Sequence, residues 1–138
     1  MKVLVIGSNG QLGLEFQKIS NIYDSVSWIF STIEILDLSK LDTIDSFLNE
    51  INPCVIINCA AFTSVDKAET EFELAYIINY KAVDIISTWT SCNNKKLIHI
   101  STDYVFDGKK IGEYLENDKT NPIGIYAKSK FEGENYVI

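Results

Sequence analysis

A short apolar run, Lys2-Val3-Leu4-Val5-Ile6, ends abruptly in Gly7-Ser8-Asn9-Gly10-Gln11-Leu12-Gly13. This junction constrains the fold more than any other part of the chain. A run this short and apolar suits a strand covered on both faces. Gly7 lets the backbone turn tightly as it leaves the strand, Gly10 lets the main chain approach a ligand closely, and Gly13 permits tight helix–strand contact. A helix opening here points free amides and its positive dipole end at one spot, a natural seat for a pyrophosphate. The spacing is Gly-x-x-Gly-x-x-Gly, not the commoner Gly-x-Gly-x-x-Gly, and glycines in this place can also be plain turn residues.

Strand-like and helix-like segments alternate after this junction. That pattern predicts an α/β fold of the Rossmann type, a doubly wound parallel sheet in a three-layer αβα arrangement. Leu12, Phe16 and Ile19 recur at helical spacing over residues 11–21. Val26 to Phe30 reads as a second strand and Ile35-Leu36 as a shorter third. Leu41, Ile44, Leu48 and Ile51 form one amphipathic stripe, with Ser39 and Asp42 at capping-box spacing and Pro53 barring continuation. Val55-Ile56-Ile57 is a buried strand. A long helix follows over residues 72–91, its buried side marked by Leu74, Ile78, Ala82, Ile85 and Trp89. Residues 97–100 form the last strand. The stretch from Thr102 to about Ile125 is irregular, and an irregular stretch this long in a compact domain is usually functional. A helix restarts near Ala127.

The 138 residues suit one domain, and a hydrophobic fraction of 46% supports a packed core. A formal net charge of −7 without a cluster of lysines or arginines excludes a nucleic-acid footprint. No apolar run approaches the roughly 18 residues needed to span a bilayer, so no membrane partner is expected. The apolar stretch before Gly7 is also too short for the h-region of an export signal, which points to a cytoplasmic protein. Cys54, Cys59 and Cys92 have no metal-type spacing and read as reduced, mostly buried thiols. No metal site is expected. The sole histidine, His99, lies inside Leu97-Ile98-His99-Ile100 and reads as a satisfied strand residue.

The chemistry concentrates near the end of the chain. Tyr126 and Lys130 are placed i to i+4, so one helix carries both on one side. A carbonyl reduced by hydride becomes an alkoxide and needs a proton. A phenol has a pKa near ~10, and a neighbouring ammonium stabilises its phenolate. Lys130 could also bond a nicotinamide ribose. Ser101 and Thr102 follow a strand's carboxyl end, where α/β ligands bind, and the Thr102 hydroxyl could hold a substrate carbonyl against Tyr126. A Tyr-x-x-x-Lys pair alone is often a solvated helix face; with Ser101-Thr102 and the glycine turn it points to a nicotinamide-dependent reductase. The second strand runs into Ser31 and Thr32, which leave room for a 2′-phosphate, while Glu34 could serve a 2′-hydroxyl. NADP is slightly favoured over NAD.

These residues resemble the extended short-chain dehydrogenases, and within them the dTDP-4-dehydrorhamnose reductase family. The matching stretches are residues 7–13, Asp37-Leu38-Ser39, residues 58–69, residues 101–108 and residues 126–130, in order and over essentially the whole chain. The resemblance implies reduction of a dTDP-4-keto-6-deoxyhexose at C4 by NAD(P)H, in dTDP-L-rhamnose synthesis. Tyr126 would be the proton donor, Lys130 its tuner and ribose anchor, and Thr102 the hydroxyl partner. Gly10, Gln11 and Leu12 would hold the pyrophosphate side of the cofactor, with Gly7 and Gly13 in the same cofactor-binding turn, and Asp37 and Leu38 would flank the adenine. Ala60, Ala61, Phe62, Thr63 and Ser101 would line the groove, and Thr102 with Asp103 would face the dTDP-sugar. Asp37 and Asp103 could also be simple turn residues, and Asp66 with Glu69 a solvated helix start. A non-catalytic regulatory subunit of the same fold is the competing reading, as is another nucleotide-sugar reductase or epimerase. The resemblance leaves a homo-oligomer open. Family members run to about twice this length, and their later portion closes over the sugar. Residues 1–138 are therefore expected to be the NAD(P)-binding domain without the C-terminal substrate domain, turning over poorly alone.

Overall fold

The computed structural model describes residues 1–137. Its frame is a parallel sheet of strands β1 (Lys2–Ile6), β2 (Ser27–Ser31), β3 (Val55–Asn58) and β4 (Lys96–His99), ordered β2-β1-β3-β4. β1 pairs with β2 on one side and β3 on the other, with Ile6 opposite both Ser31 and Asn58. The strand order reverses between β1 and β3, which makes that gap the topological switch point of a doubly wound sheet.

Helices cover both faces because β1 is apolar on both. Leu4 and Ile6 face one core with Ile56, Ile44 and Leu48 of α2 (Leu41–Ile51), and Ile86 and Trp89 of the long helical run. Val3, Val5 and Ile57 face the other, against Phe16 of α1 (Gln11–Ser20). Complete burial of each Leu or Ile here stabilises by roughly 1.5–3 kcal/mol. Trp89 Nε1 donates to Asn49 Oδ1 at 2.8 Å, so the indole joins α2 without stranding its polar atom.

Several expectations need correction. Ile35-Leu36 is not a strand. Residues 33–35 form a turn, with Leu36 amide bonded to Thr32 O at 2.9 Å and its side chain buried. Ser39 and Asp42 form no capping box. Lys40 is the N-cap, and the Ser39 hydroxyl donates to Asp37 Oδ1 at 2.7 Å. α2 ends as foreseen before Pro53, with Asn52 left-handed at φ 46°. Cys54 and Cys92 are exposed, and only Cys59 is half-buried; all are free.

The long helix is three joined segments: α4 (Phe72–Tyr76), a π-helical turn (Ile77–Lys81) and α5 (Ala82–Cys92). The extra residue per turn shifts the helical phase. The fully buried line is Ala75, Asn79, Ala82, Val83 and Ile86, so Leu74, Ile78 and Ile85 are only half-buried. Ahead of α4 lies α3 (Val65–Ala68). A 3-10 turn (Asp103–Val105) interrupts the irregular stretch, and α6 (Ile125–Glu134) closes the described chain.

Candidate functional site

The glycine turn is held to the sheet by its backbone. The Gly7 and Ser8 amides both donate to Ser31 O, at 2.9 and 3.0 Å. Ser31 is itself fully buried and does not line the cleft described below. Gly7 has φ +78°, and a Cβ there would lie 2.7 Å from Ala60 N. A Cβ on Gly13 would lie 2.5 Å from Gly7 O and from Ser8 Cα. The turn thus packs backbone against backbone, and Gly10 is the N-cap of α1, with no side chain among the described residues capping its amides. Free N-terminal amides beside a side-chain-free turn fit a diphosphate.

This turn forms one wall of a cleft of about 660 Å³ at the switch point. Gly7, Gly10, Gln11 and Leu12 come from the β1 end, Asp37 and Leu38 from beyond β2, and Ala60, Ala61 and Thr63 from beyond β3. Cys59, Ile78 and Ile100 complete its apolar floor, and burial pushes the Cys59 thiol pKa up. Asp37 both borders the cleft and closes a turn. Its carboxylate accepts from the Ser39 hydroxyl and amide, which holds its pKa below the usual range. Phe62 is absent from the lining. Its N–H donates to Asn79 Oδ1 at 2.8 Å, and its carbonyl accepts from Asn79 Nδ2 at 3.1 Å.

A second hollow of about 430 Å³ adjoins α6. Tyr126, Asp103 and Tyr104 line it, with Phe106, Asp107 and Tyr114 beyond. The Tyr126 ring meets Tyr104 edge to face, centroids 5.9 Å apart. Asp107 organises the rim by accepting from Asn121, the Lys109 amide and Tyr114, which brings its pKa down to about 2. Thr102 spends its hydroxyl locally, accepting from the Tyr104 amide at 3.2 Å as N-cap of the 3-10 turn. Ser101 Oγ is buried and has no hydrogen-bond partner among the described residues.

Lys130 belongs to the lining of neither hollow and is 1% exposed. Its Nζ donates to Ile100 O at 2.6 Å and sits 3.2 Å from His99 Nε2. Burial lowers its pKa to about 8, with Glu134 opposing. Tyr126 and Lys130 share a helix but address different surroundings: the phenol borders the outer hollow and the amine is bonded beneath Ile100 of the cleft floor.

Sequence reasoning missed two anchors of α6. Asn79, in the π turn, donates to Ser129 Oγ at 3.0 Å while gripping Phe62, joining the loop after β3 to the Tyr126 helix. Glu69 Oε1 accepts from the Ile125 amide at 2.8 Å and serves the start of α6. A lone Asn following an apolar stretch of helix gave no signal for the first. The second depends on residues 56 positions apart.

Sheet order, glycine turn and switch-point cleft together define an α/β protein of the Rossmann type. The chain belongs to the family described as the RmlD substrate binding domain, which matches residues 1–138. It is 39% identical to a dTDP-4-dehydrorhamnose reductase of Aggregatibacter actinomycetemcomitans, over 99% of this chain and 47% of that protein. Among solved structures, a dTDP-4-dehydrorhamnose reductase from Clostridium acetobutylicum superposes with TM-score 0.93 at 42% identity, covering 99% of this chain and 49% of that one. The Bacillus anthracis dTDP-4-dehydrorhamnose reductase, solved in complex with NADP, superposes with TM-score 0.92 at 38% identity, over 99% and 49%. The chain thus spans about half the length of the relatives it matches.

Proposed function

We propose that this chain is the dinucleotide-binding portion of an NAD(P)H-dependent reductase acting on a dTDP-4-keto-6-deoxy sugar. The observation that carries the reading is the convergence of the uncapped glycine turn and the Tyr126–Lys130 helix on one carboxyl edge of the sheet. Gly7, Gly10, Gln11, Leu12 and Gly13 would seat the pyrophosphate, Asp37 and Leu38 would border the adenine, and Ala60, Ala61 and Thr63 would line the groove. Phe62 would act through its backbone, which Asn79 holds. NADP is the favoured cofactor: a relative was solved with it, and no carboxylate stands at the end of β2.

A bound reduced nicotinamide would supply the hydride. Tyr126 Oη donates the proton that the new alkoxide needs. Lys130, charged, would stabilise the negative charge left on that oxygen and would bond the ribose of a bound cofactor. The Thr102 hydroxyl and Asp103 would face the substrate carbonyl and sugar. The relatives' greater length supports assigning full turnover to a longer protein, with residues 1–138 binding cofactor and turning over poorly.

Titration of the chain with NADPH and with NADH, read by fluorescence of the reduced nicotinamide, should give saturable binding, tighter for NADPH. In a full-length protein, Tyr126→Phe should cut turnover by orders of magnitude while leaving cofactor affinity intact. Undiminished turnover would instead support a non-catalytic binding module.

A further inference from the structure

Lys130 is wired to a buried chain of donors and acceptors. On one side of the His99 ring, Nε2 lies 3.2 Å from Lys130 Nζ; on the other, Nδ1 lies 3.2 Å from Asn58 Nδ2. Asn58 is 1% exposed and its amide is oriented, because Oδ1 accepts from the Ala60 N–H at 3.1 Å. The amide nitrogen only donates, so Nδ1 must accept to satisfy it. A neutral imidazole then carries its proton on Nε2. That N–H faces Nζ, and an ammonium has no lone pair to receive it.

Each charge state of Lys130 therefore matches one tautomer. As an amine, Lys130 accepts from Nε2–H, donates to Ile100 O, and leaves the Asn58 bond intact. As an ammonium, it donates to Ile100 O and to a bare Nε2. The ring proton then sits on Nδ1, opposed to the Asn58 amide. A buried donor left unmet costs about 1–3 kcal/mol, so the two protonation events cannot be independent.

We propose that His99 is a positioning residue whose tautomer is tied to the charge of Lys130, Nε2–H with the amine and Nδ1–H with the ammonium, Asn58 setting the preference. Burial and the nearby Lys130 charge bring the imidazole pKa down to about 4, so the ring stays neutral while the lysine titrates. Glu134, on α6 itself, favours the ammonium. The packed elements also carry Tyr76 on α4, Tyr80 and Lys81 on the π turn, Asp66 on α3, and Asp103 and Tyr104 on the 3-10 turn. Among the described residues, none of these hydrogen bonds with His99 or Lys130. In the proposed reductase, this coupling would decide when Lys130 carries the charge that Tyr126 uses. The coupling does not depend on that reading, and its failure would leave the reductase proposal untouched.

His99 is the sole histidine, so the chain labelled with nitrogen-15 histidine reports one ring. Long-range proton–nitrogen correlation spectra distinguish the nitrogen that bears hydrogen from the one that does not. The expected result is an interchange from Nδ1–H to Nε2–H as pH rises, with its midpoint at the Lys130 pKa of about 8. Lys130→Met should show Nε2–H throughout. A single unchanging tautomer in the unmodified chain, or ring protonation near the ordinary pKa of ~6.5, overturns the proposal, as does the same interchange persisting in Lys130→Met.

Discussion

At the scale of single residues, the glycine turn works by removing side chains from backbone contacts. Gly13 is the strictest position, since the atoms its Cβ would meet at 2.5 Å belong to the main chain of Gly7 and Ser8 and cannot rotate away. Gly13→Ala should destabilise the fold by about 1–3 kcal/mol, the usual cost of overpacking. It should also weaken dinucleotide binding, because relief requires moving the turn that would seat the diphosphate. Urea unfolding and cofactor titration of the variant check both. The three glycines were legible from their spacing. The burial of Ser31 was not, because it depends on which carbonyl the turn's amides select.

At the scale of elements, α6 is placed by partners distant in sequence. A Cβ on Gly133 would lie 2.2 Å from Asn79 O, so α6 and the π turn pack backbone to backbone. Its first turn carries no acidic residue and no capping side chain of its own, and Glu69 supplies both from across the loop. Carboxylates favour helix N-termini, and losing such a cap costs about 0.5–2 kcal/mol. Glu69→Ala should speed amide exchange at Ile125 and Tyr126 while leaving the β1 and β3 amides protected. Equal protection at α6 in variant and parent would show that Glu69 does not hold the helix. Glu69 read from sequence as a solvated helix start, and its neighbours on α3 gave no reason to think otherwise.

At the scale of the whole molecule, the buried His99 ties stability to pH. The unfolded chain binds a proton at an ordinary imidazole pKa of 6.5, and the fold resists that proton until about 4. Between those values the unfolded state holds more protons, so stability rises with pH across the window and is lost as pH falls through it. The shift corresponds to about 3 kcal/mol. His99→Gln should flatten the stability difference between about pH 4.5 and 7 relative to the parent, while carboxylate titration contributes alike to both. Parallel pH profiles in denaturant unfolding would refute the assignment.

Local pattern alone determined that this chain alternates strands and helices, that glycines would form the turn after the first strand, and that Tyr126 and Lys130 share a helix. Those features follow from apolar periodicity and glycine spacing, which act over a few residues. Only the tertiary structure decided that Ile35-Leu36 would turn instead of pair, that a π segment would rotate the long helix, and that His99 would bridge Asn58 and Lys130. Each of these depends on which distant backbone or ring atoms come within bonding distance once the sheet has formed, and local sequence carries no trace of that.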